Sequence, residues 1–170
     1  MFFVRSRFLK PLRTKICFKN KPPKLSQTMD FLTDEENQRV VQAIHSAEER
    51  TSAEIRIHIE NKCDTNPLER AKTVFKHLKM QETEQQNGVL IYCATGTRRI
   101  AIYGGKGIYS LVPEDYWDDI IQLILVYFRQ KRYADGLIAA IQEVTARLSE
   151  FFPYQSGDTN ELSNEISYGL

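Results

Sequence analysis

Six consecutive apolar residues, Val89-Leu90-Ile91-Tyr92-Cys93-Ala94, follow Asn87-Gly88 with no polar alternation. A strand of this kind is covered on both faces, so the fold needs a layer above and below its sheet. Thr95-Gly96-Thr97 is long enough only for a hairpin, and the strand from Arg98 to Tyr103 therefore returns antiparallel. Upstream, Glu54 to Glu60 alternates strictly, with Ile55, Ile57 and Ile59 on one face and Glu54, Arg56, His58 and Glu60 on the other. That pattern predicts a half-exposed strand near an edge.

Helical signals surround these strands. Thr33-Asp34-Glu35-Glu36 is a capping box ahead of the stripe Val40, Val41, Ile44 and Ala47. Asn66-Pro67-Leu68-Glu69 starts a second helix that buries Leu68, Ala71, Val74, Phe75 and Leu78. A third begins at Pro113 with a wide apolar face, Trp117, Ile120, Ile121, Ile124, Leu125 and Phe128. A fourth begins near Ala134-Asp135-Gly136 and stops before Pro153. The order α-β-α-β-β-α-α places the chain in the α/β class, as a three-layer α/β/α sandwich around a small mixed β-sheet.

The 170 residues suffice for one domain, assigned to residues 29–153. Residues 1–28 carry eight basic side chains and no acid, residues 154–170 form a polar tail, and neither is expected to fold alone. Removing the eight from the 23 basic residues leaves 15 against 22 acidic ones, so residues 29–170 carry a formal −7. An acidic body argues against nucleic acid as a partner. The basic head lacks the apolar run of a secretory signal; it reads either as a targeting segment or as sequence upstream of a true start at Met29. Cys17, Cys63 and Cys93 are odd in number and form no CxxC, which predicts a reducing, cytoplasmic setting. No stretch is long and apolar enough for a transmembrane segment.

The topology makes a site prediction. The first two strands are joined by a helical crossover and run parallel, so Glu54 and Asn87 share one end of the sheet. The third strand brings Gly104, Gly105, Lys106 and Gly107 back to that end, where the third helix starts with Glu114, Asp115, Asp118 and Asp119. Glycines that allow positive φ and open backbone N–H groups, beside hard carboxylate oxygens, suit a divalent cation. The same acids also complement a helix dipole, and Glu54 can equally be the solvated first residue of a strand. Asp135 reads as an N-cap, Lys106 as a solvated tip, and Trp117 and Cys93 as core. His45, His58 and His77 have no zinc spacing, and no GxSxG, P-loop or GxGxxG occurs.

Five motifs in order, Phe31-Leu32-Thr33-Asp34-Glu35-Glu36, Ala47-Glu48-Glu49-Arg50-Thr51-Ser52-Ala53-Glu54-Ile55, Asn87-Gly88-Val89-Leu90-Ile91, Gly104-Gly105-Lys106-Gly107 and Tyr133-Ala134-Asp135-Gly136-Leu137, resemble the TPM-domain family. The resemblance spans about residues 31–153 and implies an α/β/α sandwich. Calcium binding and acid phosphatase activity are attributed to thylakoid-lumen members. It implies functional acids at Glu54, at Glu114 or Asp115, and at Asp135. Here Gly105 stands where soluble relatives often carry Asp, and Ala53 stands where they carry Gly. The expectations are a Ca²⁺ or Mg²⁺ site formed by Glu54, Glu114, Asp115, Asp118 and Asp119, with weak phosphatase activity and no catalytic residue assigned. The alternative is a non-catalytic module whose acidic surface docks a protein partner.

Overall fold

In the computed structural model, which describes residues 16–17, 31–113, 115–156 and 160–169, the apolar run forms the centre of the sheet. The elements are β1 (Ile16–Cys17), α1 (Asp34–Glu48), β2 (Ile55–Glu60), α2 (Pro67–His77), a 3-10 turn (Met80–Glu82), β3 (Val89–Ala94), β4 (Arg99–Gly104), α3 (Tyr116–Arg129), α4 (Tyr133–Leu148) and β5 (Ser167–Tyr168). The strand order is β1-β4-β3-β2-β5. β2 and β3 are parallel, with Ile55 opposite Val89. β3 and β4 form the antiparallel hairpin, with Val89 opposite Gly104. Every residue of β3 is buried.

Two apolar clusters lie on opposite faces of the sheet. Ile55, Ile57 and Ile59 of β2 join Val89, Ile91 and Cys93 of β3 beneath α1, α3 and α4. On the other face Leu90, Tyr92 and Ala101 meet Ala71, Val74 and Phe75 of α2. This is the expected three-layer sandwich, divided three helices to one.

Local chemistry sets the helix ends. Thr33 and Glu36 exchange both capping-box hydrogen bonds, at 2.9 and 3.2 Å. Asn66 accepts from the Leu68 N–H at 2.9 Å, ahead of Pro67. Gly136 permits the close approach of α4 to α3, because a Cβ there would sit 3.0 Å from Tyr127 Cβ and 3.1 Å from the Phe128 ring. Phe31, Phe128 and Tyr133 close one end of the helical layer, with ring centroids 4.5 to 5.6 Å apart.

Three expectations need correction. α3 begins at Tyr116, three residues after Pro113, because the preceding residues form turns in which the Tyr116 N–H donates to Pro113 O and the Asp118 N–H to Asp115 O. Asp135 is not an N-cap; Arg132 holds that position, and Asp135 pairs with Arg39 at 2.6 Å and Arg132 at 2.8 Å. β2 is not half-exposed, since His58 is fully buried and Glu60 is 6% exposed. Its polar face is covered by α2 and by the polar tail, which enters the sheet as β5, parallel to β2, with Ser167 opposite His58. In the basic head, Ile16 and Cys17 pair with β4; the rest of residues 1–28 lies outside the described residues.

Candidate functional site

Strand geometry brings the expected backbone segments to one end of the sheet. The Val89 N–H donates to Glu54 O at 2.7 Å, Asn87 Nδ2 donates to Ser52 O at 2.9 Å, and the Gly105 N–H donates to Gly88 O at 2.8 Å. These contacts join the segments to one another. The glycine turn is likewise committed to packing: a Cβ on Gly105 would lie 2.2 Å from Gln86 O, and one on Gly107 would lie 2.3 Å from Gln85 O. None of Gly104, Gly105 and Gly107 has positive φ. The Gly107 N–H also points inward, to Gln86 O at 3.0 Å. Close backbone approach explains these glycines, and Lys106 is an exposed tip.

The carboxylates divide between two places. Asp115, Asp118 and Asp119 stay together at the start of α3, where burial raises the Asp118 carboxyl and the neighbouring Asp119 and Asp115 raise it further. Asp115 occupies the N-cap position without a side-chain capping bond; Glu114 lies outside the described residues. Glu54 sits at the start of β2, separated by β3 from the end of β4, a span of about 10 Å across two strand spacings. Its Oε1 accepts the Glu161 N–H at 2.9 Å. Among the described residues no three His, Cys, Asp or Glu side chains lie close enough to hold one metal ion.

Glu54 instead lines a cleft of about 380 Å³ between the end of α1, the start of β2 and the tail. His45, Glu48, Glu49, Tyr154 and Asn160 complete its polar wall, and among the described residues no Lys or Arg lines it. Burial raises the Glu48 carboxyl, against the lowering effects of an Asn164 hydrogen bond and of His45. Thr51, from the same motif, is structural: its hydroxyl donates to Phe152 O at 2.7 Å and accepts from the Ala53 N–H at 3.1 Å, tying the end of α4 to the cleft floor. Tyr154 and Asn160 did not emerge as site residues from sequence because the tail reaches this end only through tertiary contacts, and His45, on α1, was weighed only for a zinc spacing it lacks. The run Glu48-Glu49 ahead of Glu54 was the available signal.

A second polar cluster lies beneath β5. Glu60 accepts two hydrogen bonds from Arg70, at 2.9 and 2.7 Å, and one from the Tyr92 hydroxyl. Burial alone would raise the Glu60 carboxyl, but the bonds from Arg70 and Tyr92 outweigh it and hold it below the usual range. His58 Nδ1 lies 3.0 Å from Ser167 Oγ, and Nε2 lies 3.8 Å from Glu60 Oε2. The order Ser-His-Glu has the composition of a nucleophile relay, yet burial lowers the imidazole to about 4, so it is a poor base for the serine. Cys93 offers no nucleophile either, since burial pushes its thiol up to about 12.

The sequence profile of the TPM domain matches residues 25–147. The chain belongs to the TPM-domain family. Among solved structures, the BA42 protein of the psychrophilic bacterium Bizionia argentinensis is 41% identical, with a TM-score of 0.78, covering 85% of this chain and all of that one. The N-terminal domain of a protein from P. gingivalis is 16% identical, with a TM-score of 0.62, over 75% of this chain and 83% of its own. The N-terminal domain of the cg2496 protein from Corynebacterium glutamicum is 12% identical, with a TM-score of 0.55, over 87% and 91%. The last two likenesses show the fold alone. No curated protein matches the chain. Within this TPM domain, no helix of the described residues is long and apolar enough to cross a membrane. The Ala47-to-Ile55 motif supplies one wall of the acidic cleft.

Proposed function

We propose that this TPM domain is a non-catalytic docking module that receives a cationic group of a partner protein in the cleft beside Glu48, Glu49 and Glu54. The observation that carries the reading is the lining: among the described residues, three carboxylates and no basic side chain surround a concavity of about 380 Å³. The formal −7 of residues 29–170 favours a basic segment close to this part of the surface, within a chain whose net charge is +1. A lysine-rich peptide titrated into ¹⁵N-labelled protein should shift the amides of Glu48, Glu49, Glu54 and Asn160, with an affinity that weakens as salt rises. Shifts confined to other surfaces, or none at millimolar peptide, would overturn the reading.

A second reading, a Ca²⁺ or Mg²⁺ ion at the start of α3 held by no more than two of the described carboxylates, is favoured by the placement of Asp118 beside Asp119 and Asp115, whose charges add to burial in raising its carboxyl. A hard ion relieves such repulsion and stabilises the native state that binds it. Weak phosphatase activity belongs to this reading, with the ion holding the phosphate. Millimolar Ca²⁺ should then raise the melting temperature of the wild type and of Glu54→Gln, and should leave Asp115→Asn/Asp118→Asn unchanged. An equal rise in all three proteins would refute it.

A further inference from the structure

A second concavity, of about 650 Å³, runs between α1 and α4, and among the described residues it shares no lining side chain with the acidic cleft. It belongs to a different flank of α1. Ala43, Ala47 and, just past the helix end, Arg50 recur there at helical spacing and face Ile138, Ile141 and Thr145 of α4, which recur in the same way. The small side chains on α1 leave the groove open. Ala47, Ile141 and Thr145 form a buried floor, with Ala43 and Ile138 half-buried above it. Thr145 adds no free polar group to that floor, because its hydroxyl donates to Ile141 O at 2.6 Å.

The walls have the opposite character. Gln38 and Gln42 stand one turn apart on α1, Ser46 stands one turn further on, and Gln142 faces them from α4. All four are exposed, and none of their side chains has a partner among the described residues. Each primary amide offers a carbonyl acceptor and N–H donors, the groups that pair with a peptide backbone. An apolar floor of small side chains between rows of amides thus suits an extended chain.

The two ends differ in sign. At one, Arg39 is taken up by Asp135 at 2.6 Å, and Glu35 stands one turn before it on α1. At the other, the side chain of the exposed Arg50 has no hydrogen bond or ion pair among the described residues. A guanidinium presents a planar fork of N–H donors that fits a carboxylate. An anionic group is therefore drawn to the Arg50 end and repelled from the Glu35 end, which gives the groove a direction. From Glu35 to Arg50 the helical rise spans about 22 Å, the reach of about seven residues of extended chain. The termini of this chain do not suit the groove: the basic head brings eight cations and no acid to Arg50, and the tail is committed to Glu54 and the β2 edge.

We propose that the groove between α1 and α4 binds an extended acidic segment of a partner protein. Gln38, Gln42 and Gln142 meet its peptide groups, the floor around Ala43 and Ala47 takes small side chains, and Arg50 holds a Glu or Asp carboxylate at one end. The site is separate from the acidic cleft and stands whether or not that cleft receives a basic group.

Titration of the full ¹⁵N-labelled chain with an N-acetylated, C-amidated peptide of alanine and glycine ending in a pair of glutamates tests the groove. The side-chain amides of Gln38, Gln42 and Gln142 and the backbone amides of Ser46 and Arg50 should shift, with an affinity that falls as salt rises. Arg50→Met, at an exposed position, should keep the wild-type melting temperature and bind about fivefold more weakly, the upper range for an exposed ion pair. Ala43→Leu fills the groove from its half-buried rim and should remove the shifts at all five positions. Shifts confined to other surfaces, none at millimolar peptide, or equal affinity in wild type and Arg50→Met would overturn the proposal. Equal binding of the peptide with glutamine in place of glutamate would also overturn it, as would binding only when its C-terminus is left free, since the group recognised would then be a main-chain carboxylate.

Discussion

Replacing Arg70 with Met tests whether the Glu60 cluster is a tuned internal charge pair or a surface decoration. Arg70 gives Glu60 two hydrogen bonds, and the two side chains are 26% and 7% exposed. Arg70→Met keeps much of the aliphatic stem and leaves a carboxylate in a largely dry site with Tyr92 as its remaining donor. Breaking one half of a buried pair costs about 3 to 5 kcal/mol. In a chain of this size that lowers the melting temperature by about 6 to 20 °C. The pH dependence gives a second check. In the wild type the Glu60 carboxyl lies below its ordinary 4.5, so its contribution is present above that value and lost as pH falls through the folded value. In Arg70→Met, burial prevails and the carboxyl rises, so the deficit is largest at pH 7 and shrinks as pH falls toward the raised value. Urea unfolding at pH 7 and pH 5, with and without Glu60→Gln, reads both effects, and Glu60→Gln should recover part of the loss. A cost below about 0.5 kcal/mol at pH 7 would refute the reasoning, because an exposed pair behaves that way.

Three further predictions concern packing. Gly105→Ala should cost at least about 1 to 3 kcal/mol in urea unfolding, since the added Cβ meets the Gln86 carbonyl at 2.2 Å; a neutral substitution would show that the turn moves freely. Ile124→Ala, which truncates a fully buried side chain between α3 and the sheet, should cost about 2 to 5 kcal/mol. Cys93 should resist alkylation at pH 8 in native protein and react fully once unfolded, because its thiol is pushed up to about 12; rapid native labelling would place it outside the core.

The sandwich was legible because its signals are local. The unbroken apolar run of β3, the capping box at Thr33 and the Asn66-Pro67 start each act over a few residues, and each forms the element it predicts. The alternation in β2 was misleading for a physical reason. His58 and Glu60 read as solvent-facing, yet Arg70, Tyr92 and Ser167 satisfy them from α2, β3 and a strand about a hundred residues away. Nothing in the polar composition of residues 154–170 announces that role, since Asn164 and Ser167 act through side-chain bonds whose partners are distant in sequence. The convergence of Glu54, Asn87 and the Gly104-Gly105 turn on one end of the sheet was legible, but the glycines there serve close packing, and the described acids divide between the start of α3 and the cleft.

The placement of β5 also shapes how the chain reaches its native state. β2 emerges early in synthesis, and its outer edge waits for a strand about 109 residues further on. Loop closure over that distance is slow compared with the helices and the β3–β4 hairpin. During that interval an all-apolar β2 would invite pairing with a neighbouring chain. Arg56, His58 and Glu60 make such pairing unfavourable, because a foreign strand bringing no Ser167 hydroxyl would seal polar groups against an unmatched surface. The polar side chains that made β2 look like a surface strand thus guard the nascent protein against aggregation until its own tail arrives.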